Sequence, residues 1–120
     1  MTAIRLLTLP AHGVVELLIG LSTMAAPFVV GFGPAATLVA LLVGAVLVGL
    51  ALAAASAHEG GRGSFNVATH HAADSGLAIG LFGAAATVGI DGDATAAVTL
   101  AALALAQTAL TLTTRYSLRA

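Results

Sequence analysis

Apolar residues fill this chain in four long blocks, and the charged residues gather at the edges of those blocks. Pro34 to Ala57 is 24 residues without a charge, and Ala94 to Thr114 is another 21. An α-helix needs about 20 apolar residues to cross a hydrocarbon core, so each block predicts a transmembrane helix. Two further blocks carry one carboxylate apiece near their starts: Pro10 to Phe32 contains Glu16, and Ala68 to Ile90 contains Asp74. Their uncharged remainders, Leu17 to Phe32 and Ser75 to Ile90, have 16 residues each. With the preceding turn included, these also reach across a bilayer. The blocks are rich in Ala and Leu and lack the strict alternation of barrel strands. The expected fold is all-α, a polytopic membrane protein with four transmembrane helices.

The connections alternate in length. Gly31-Phe32-Gly33-Pro34 is a short turn with Pro34 placed for the first turn of the next helix. Ile90-Asp91-Gly92-Asp93 is another, where Asp-Gly marks a turn and Asp93 can cap the following helix. Between them lies a Gly-rich stretch, His58 to Val67. The expected organisation is a first transmembrane hairpin over residues 1–57, a cytoplasmic linker over 58–67 and a second hairpin over 68–120. The first block reads as a span and not as a signal peptide, because its apolar part exceeds a usual h-region and has an internal counterpart.

Composition agrees with the pattern. The chain has 120 residues, 59% hydrophobic and 8% charged, against about 25% charged in a soluble domain. All four basic residues fall on one side of the map: Arg5, Arg62, Arg115 and Arg119. The other side has only Asp91 and Asp93. The positive-inside rule therefore places both termini and the linker in the cytoplasm of a cell-membrane protein. Cysteine is absent, which removes disulfides, thiolate metal sites and a Cys nucleophile.

The two halves repeat each other. His12 and Glu16 recur as His70 and Asp74, 58 residues later. At that offset without gaps, Gly31 matches Gly89, Thr37 matches Thr95, Leu42 matches Leu100, Leu47 matches Leu105, and Ala51-Leu52 matches Ala109-Leu110. Because each unit has two spans, the halves are expected to lie parallel, related by a pseudo-two-fold axis along the membrane normal. Glu16 to Phe32, ELLIGLSTMAAPFVVGF, also resembles the SPW repeat of small bacterial and archaeal membrane proteins. Ala26-Pro27-Phe28 stands where that repeat has Ser-Pro-Trp, and Gly44 and Gly49 supply its Gly-rich second helix. The resemblance covers Glu16 to Ala53, with a degenerate copy afterwards that lacks the proline. It implies two hairpins and carries no established activity.

Residues four apart share a helical face. His12 with Glu16 and His70 with Asp74 thus form two equivalent stripes at the cytoplasmic end, with His71 three residues before Asp74. His58 and Glu59 end the second span at the same face. Three readings follow. In the first, these are interfacial polar residues of a non-enzymatic packing or assembly unit, or an accessory subunit of a membrane complex. In the second, His12, Glu16, His70, His71 and Asp74 bind a divalent transition metal or a haem, with His58 and Glu59 as peripheral ligands. In the third, the acids and histidines begin a proton or ion pathway continued by Thr95, Thr99, Gln107, Thr108 and Thr111. Gln107 is otherwise an interhelical polar contact. Gly76-x-x-x-Gly80 and the other glycines favour close helix approach, and so a homo-oligomer or other membrane subunits as partners. No phosphate loop, nucleophile elbow or dinucleotide fingerprint occurs, and no basic patch suits nucleic acid.

Overall fold

A computed structural model describes residues 7–60 and 67–114, with side chains described over 7–53 and 69–114. It consists of four helices: α1 (Leu9–Ala26), prolonged by a π-turn over Pro27–Gly31, α2 (Pro34–Gly60), α3 (Val67–Ile90) and α4 (Ala94–Thr113). All four are long and apolar enough to cross a membrane, and the molecule is 45 Å in its longest dimension. That exceeds the ~30 Å hydrocarbon core and leaves the turns outside it. Helix α2 continues to Gly60 and α3 begins at Val67, so both helices extend into the stretch expected to be linker. The four arginines that set the predicted orientation, and the side chains of His58 and Glu59, lie outside the described residues.

Local chemistry explains the helix ends. Thr8 caps α1 by accepting from the Ala11 N–H, with proline in the first turn. At the far end Pro27 brings no N–H to the helical ladder, and the helix widens there into the π-turn. That turn closes when Phe32 N–H donates to the Pro27 carbonyl. Gly31 then takes a positive φ of 89°, a conformation that favours glycine.

Each hairpin packs mainly on itself, while α1 also touches α4 and α2 touches α3. Gly20 and Gly44 are the close approach in the first hairpin. A Cβ on Gly44 would run into Met24 and come within 2.8 Å of the Gly20 carbonyl oxygen. The glycines of α3 do something else. Gly76, Gly80 and Gly83 are exposed, and a Cβ at any of them meets nothing within 4 Å. They do not pack this bundle.

The interior is layered. Toward the acidic turn lie Ala36, Ala40, Leu81, Ala85, Val88, Ala96, Leu100 and Ala104. Beneath them Ile19, Leu47 and Leu110 form a second apolar cluster. The buried polar residues His12, Glu16, His70, Asp74 and Gln107 occupy the opposite end. At the acidic turn Asp93 ties the hairpins together: Oδ2 accepts from Gly33 N–H at 2.8 Å and Oδ1 accepts from Ala96 N–H at 3.1 Å. One carboxylate thus caps α4 and holds the first hairpin's turn.

The burial register corrects part of the ungapped repeat. In α1 and α3 the buried positions His12, Glu16, Gly20 and Thr23 correspond to His70, Asp74, Ala78 and Leu81, an offset of 58. In α2 and α4 the buried positions Ala36, Ala40, Gly44, Leu47 and Leu50 correspond to Ala96, Leu100, Ala104, Gln107 and Leu110, an offset of 60. At offset 58, Leu47 is buried but Leu105 exposed, and Leu42 is exposed but Leu100 buried. The second connection inserts two residues, so those leucine matches are compositional and not structural.

Two stability outcomes follow. Gly44→Ala is expected to destabilise the bundle by ~1–3 kcal/mol through overpacking, whereas in the detergent-solubilised monomer Gly76→Ala gains up to ~1 kcal/mol of helix propensity. Thermal unfolding followed by circular dichroism in detergent should give shifts of opposite sign. Asp93→Ala should cost about 1–2 kcal/mol, since it removes a helix cap and a cross-hairpin acceptor. Asp93→Asn, which keeps one acceptor oxygen, should recover part of that loss in the same assay.

Candidate metal centre

The polar layer is built from three helices. Glu16 lies about 10 Å along α1 from its start, and Asp74 lies about the same distance along α3, at the 1.5 Å helical rise. Gln107 stands about 9 Å before the end of α4, which brings it to the same level. A carboxylate two turns into a span is expensive in hydrocarbon unless partners compensate it. Here the i, i+4 pairs on α1 and α3 turn inward and meet across the bundle.

The four side chains alternate around a ring. His12 Nε2 is 2.9 Å from Asp74 Oδ2 and 3.5 Å from Glu16 Oε1. His70 Nε2 is 3.3 Å from Glu16 Oε1 and 3.4 Å from Asp74 Oδ2. Each histidine therefore touches the carboxylate of its own helix and that of the other hairpin. One ligand atom from each residue lies within 4.8 Å of all the others, and all four residues are buried. The imidazole rings sit edge to face, with centroids 5.6 Å apart.

Helix α4 orients the two ligands of α1. Gln107 Nε2 donates to Glu16 Oε2 at 3.3 Å, which leaves Oε1 directed at both imidazoles. Thr114 Oγ1 donates its only proton to the Leu110 carbonyl at 2.6 Å. It can then only accept from His12 Nδ1, at 2.7 Å. That bond fixes the proton on Nδ1 and turns Nε2 toward the carboxylates, the outer-shell arrangement of metal-binding histidines. At this end the Leu7 N–H donates to the Thr113 carbonyl at 3.1 Å, tying the start of α1 to the end of α4, and Leu9 is almost fully buried.

The sequence-derived set is thus divided. His12, Glu16, His70 and Asp74 come together, and Gln107 joins them as a hydrogen-bond donor to Glu16. His71 does not: it is exposed, because one residue further along α3 is about 100° around the helix axis. His58 and Glu59 cannot be placed, as their side chains are outside the described residues. Thr114 was missed. Its signal is the Gln107, Thr111, Thr114 spacing of i, i+4, i+7, a polar stripe at the level of the acids.

The fourth-span threonines do not make a track through the membrane. Thr95 is exposed, and Thr99 and Thr108 donate back to their own helix at Thr95 O and Ala104 O. Beyond the polar layer Leu47, Leu81 and Leu100 are at 0% exposure, and the buried Thr23 donates back to its own helix at Ile19 O. No protein-family model, curated protein or solved structure matches the chain.

Proposed function

We propose that this protein is a small multi-pass membrane protein whose two hairpins are joined by a divalent transition metal ion held by His12, Glu16, His70 and Asp74. The observation that carries the reading is the ring of four N···O separations, 2.9 to 3.5 Å. Ligands about 2.0–2.2 Å from a tetrahedral zinc ion stand about 3.3–3.6 Å from each other. Two imidazole nitrogens and two carboxylate oxygens suit zinc, manganese or iron. Charge supports the same reading: one divalent ion and two carboxylates sum to zero, the condition that makes burial in hydrocarbon affordable.

The role of such an ion is structural. The protein supplies four ligands and buries all of them, whereas catalytic ions keep an open position. This favours a non-enzymatic part in packing or assembly, with the metal closing the contact between hairpins. A haem fits less well, because Glu16 and Asp74 stand where the macrocycle would lie between the two imidazoles. A transmembrane proton pathway is opposed by the leucine-filled layer. The paired His-x-x-x-acid stripes support a duplicated hairpin related by a pseudo-two-fold axis. The SPW-repeat resemblance and the cytoplasmic placement of the site belong to the same reading and rest on sequence.

Metal analysis of the purified protein should find about one ion per chain. His12→Ala and Asp74→Asn should each lose it, while His71→Ala keeps it. At free metal near 100 times the dissociation constant, stability should rise by about 2.7 kcal/mol, read as a higher melting temperature that a chelator reverses. A folded protein with no bound metal and no thermal response to added zinc, manganese or iron would sink the reading.

The exposed glycines of α3 favour an assembly reading alongside the metal. Gly76, Gly80 and Gly83 form an open small-residue stripe on the outer surface, the kind of face on which membrane helices approach closely. We infer a homo-oligomer formed through α3. Since the chain has no native cysteine, Gly80→Cys should give a disulfide-linked dimer on oxidation in membranes, and Gly49→Cys on α2 should not.

A further inference from the structure

A groove of about 290 Å³ runs along the outer surface between α3 and α4, lined by Ser75, Ile79 and Phe82 on one side and Thr108, Thr111 and Leu112 on the other. One of its residues breaks a pattern. Thr23, Thr37, Thr87, Thr99, Thr108, Thr113 and Thr114 each donate their hydroxyl to the carbonyl four residues earlier. Thr111 does not. Its Oγ1 has no hydrogen-bond partner among the described residues, although the residue is only 7% exposed. A buried hydroxyl left unpaired costs about 1–3 kcal/mol. Its partner must come from the groove.

We propose that this groove holds one acyl chain of a phospholipid, with Thr111 Oγ1 donating to the ester carbonyl of that chain. Depth identifies the occupant. Thr111 is two residues from the end of α4, about 3 Å along the axis, so its hydroxyl lies at the end of the groove nearer the headgroups, the side from which an ester carbonyl enters. From there the groove descends past Ile79 to Phe82, about 10 Å along α3 from Ser75. Beyond that end its walls are Ile79 and Phe82, with the Thr108 hydroxyl turned back to the Ala104 carbonyl, as an acyl tail requires. The carbonyl at one end and the tail beyond it match the polarity of the groove in order and direction.

The test compares two lipids that differ only in the acceptor. Native mass spectrometry of the full chain, released from detergent, would be titrated with dioleoyl phosphatidylcholine and with its dialkyl ether analogue, which lacks the carbonyl. The diester should bind its first site about fivefold more tightly, the equivalent of one hydrogen bond of about 1 kcal/mol. Thr111→Val should abolish that preference while leaving the helical circular dichroism unchanged, and Thr111→Ser, which keeps the hydroxyl, should retain it. Equal binding of the two lipids to the unaltered chain would overturn the proposal, as would a preference that survives in Thr111→Val. Tighter binding of decylubiquinone than of the diester would also overturn it, by giving the groove to a quinone. These readouts do not involve the metal, so they separate from failure of the metal reading.

Discussion

The arrangement of this bundle depends on two carboxylates being buried where lipid would otherwise surround them. Glu16 and Asp74 each sit about two turns inside a span, and neither has a lysine or arginine within its own helix. Among the described residues, the imidazoles that reach these carboxylates are those of His12 and His70. A histidine four residues from an acid on the same helix reaches it, but a single pair of that kind leaves lone pairs unsatisfied. Crossing the two pairs gives each carboxylate two imidazole neighbours. The hairpins are thereby fixed in rotation as well as position, since turning either first helix removes both contacts at once. Non-directional packing of Ala and Leu would not set that angle.

The opposite end solves a different problem. There the chain leaves the membrane, and the turn of the first hairpin has an N–H to satisfy. Asp93 supplies the acceptor from the second hairpin. The two ends therefore hold the halves together by unlike chemistry, a desolvated ring of ligand-type atoms at one and a helix cap at the other. Between them Leu47, Leu81 and Leu100 pack without direction, and the buried Thr23 donates back to its own helix at the Ile19 carbonyl. The alignment comes from the ends.

Much of this was legible in the sequence. Four uncharged or nearly uncharged blocks predict the helices because a bilayer admits few other structures, and His12, Glu16, His70 and Asp74 stand out because spacing puts each pair on one face. Asp93 as a cap was readable for the same local reason. What was not legible depended on rotation between helices. His71 has nearly the same sequence relation to Asp74 as His70, and only the way α3 turns exposes it. Gly76 and Gly80 read as packing residues, yet the face they occupy points out of the bundle. Thr114 acts on His12 across 102 residues, and its spacing from Gln107 marks only a shared helix face, not that partner.

The shift from an offset of 58 to one of 60 carries a consequence for how the two hairpins compare. Two residues correspond to about 200° of helical rotation, so the longer second connection changes which face of α4 looks inward. With that allowance, Gln107 occupies the place in the second hairpin that Leu47 occupies in the first. The two hairpins thus carry an amide and a hydrocarbon at corresponding buried positions of their second helices. The halves thereby differ in role, a holder and a held: the second hairpin's last helix grips Glu16 and His12 of the first hairpin through Gln107 and Thr114.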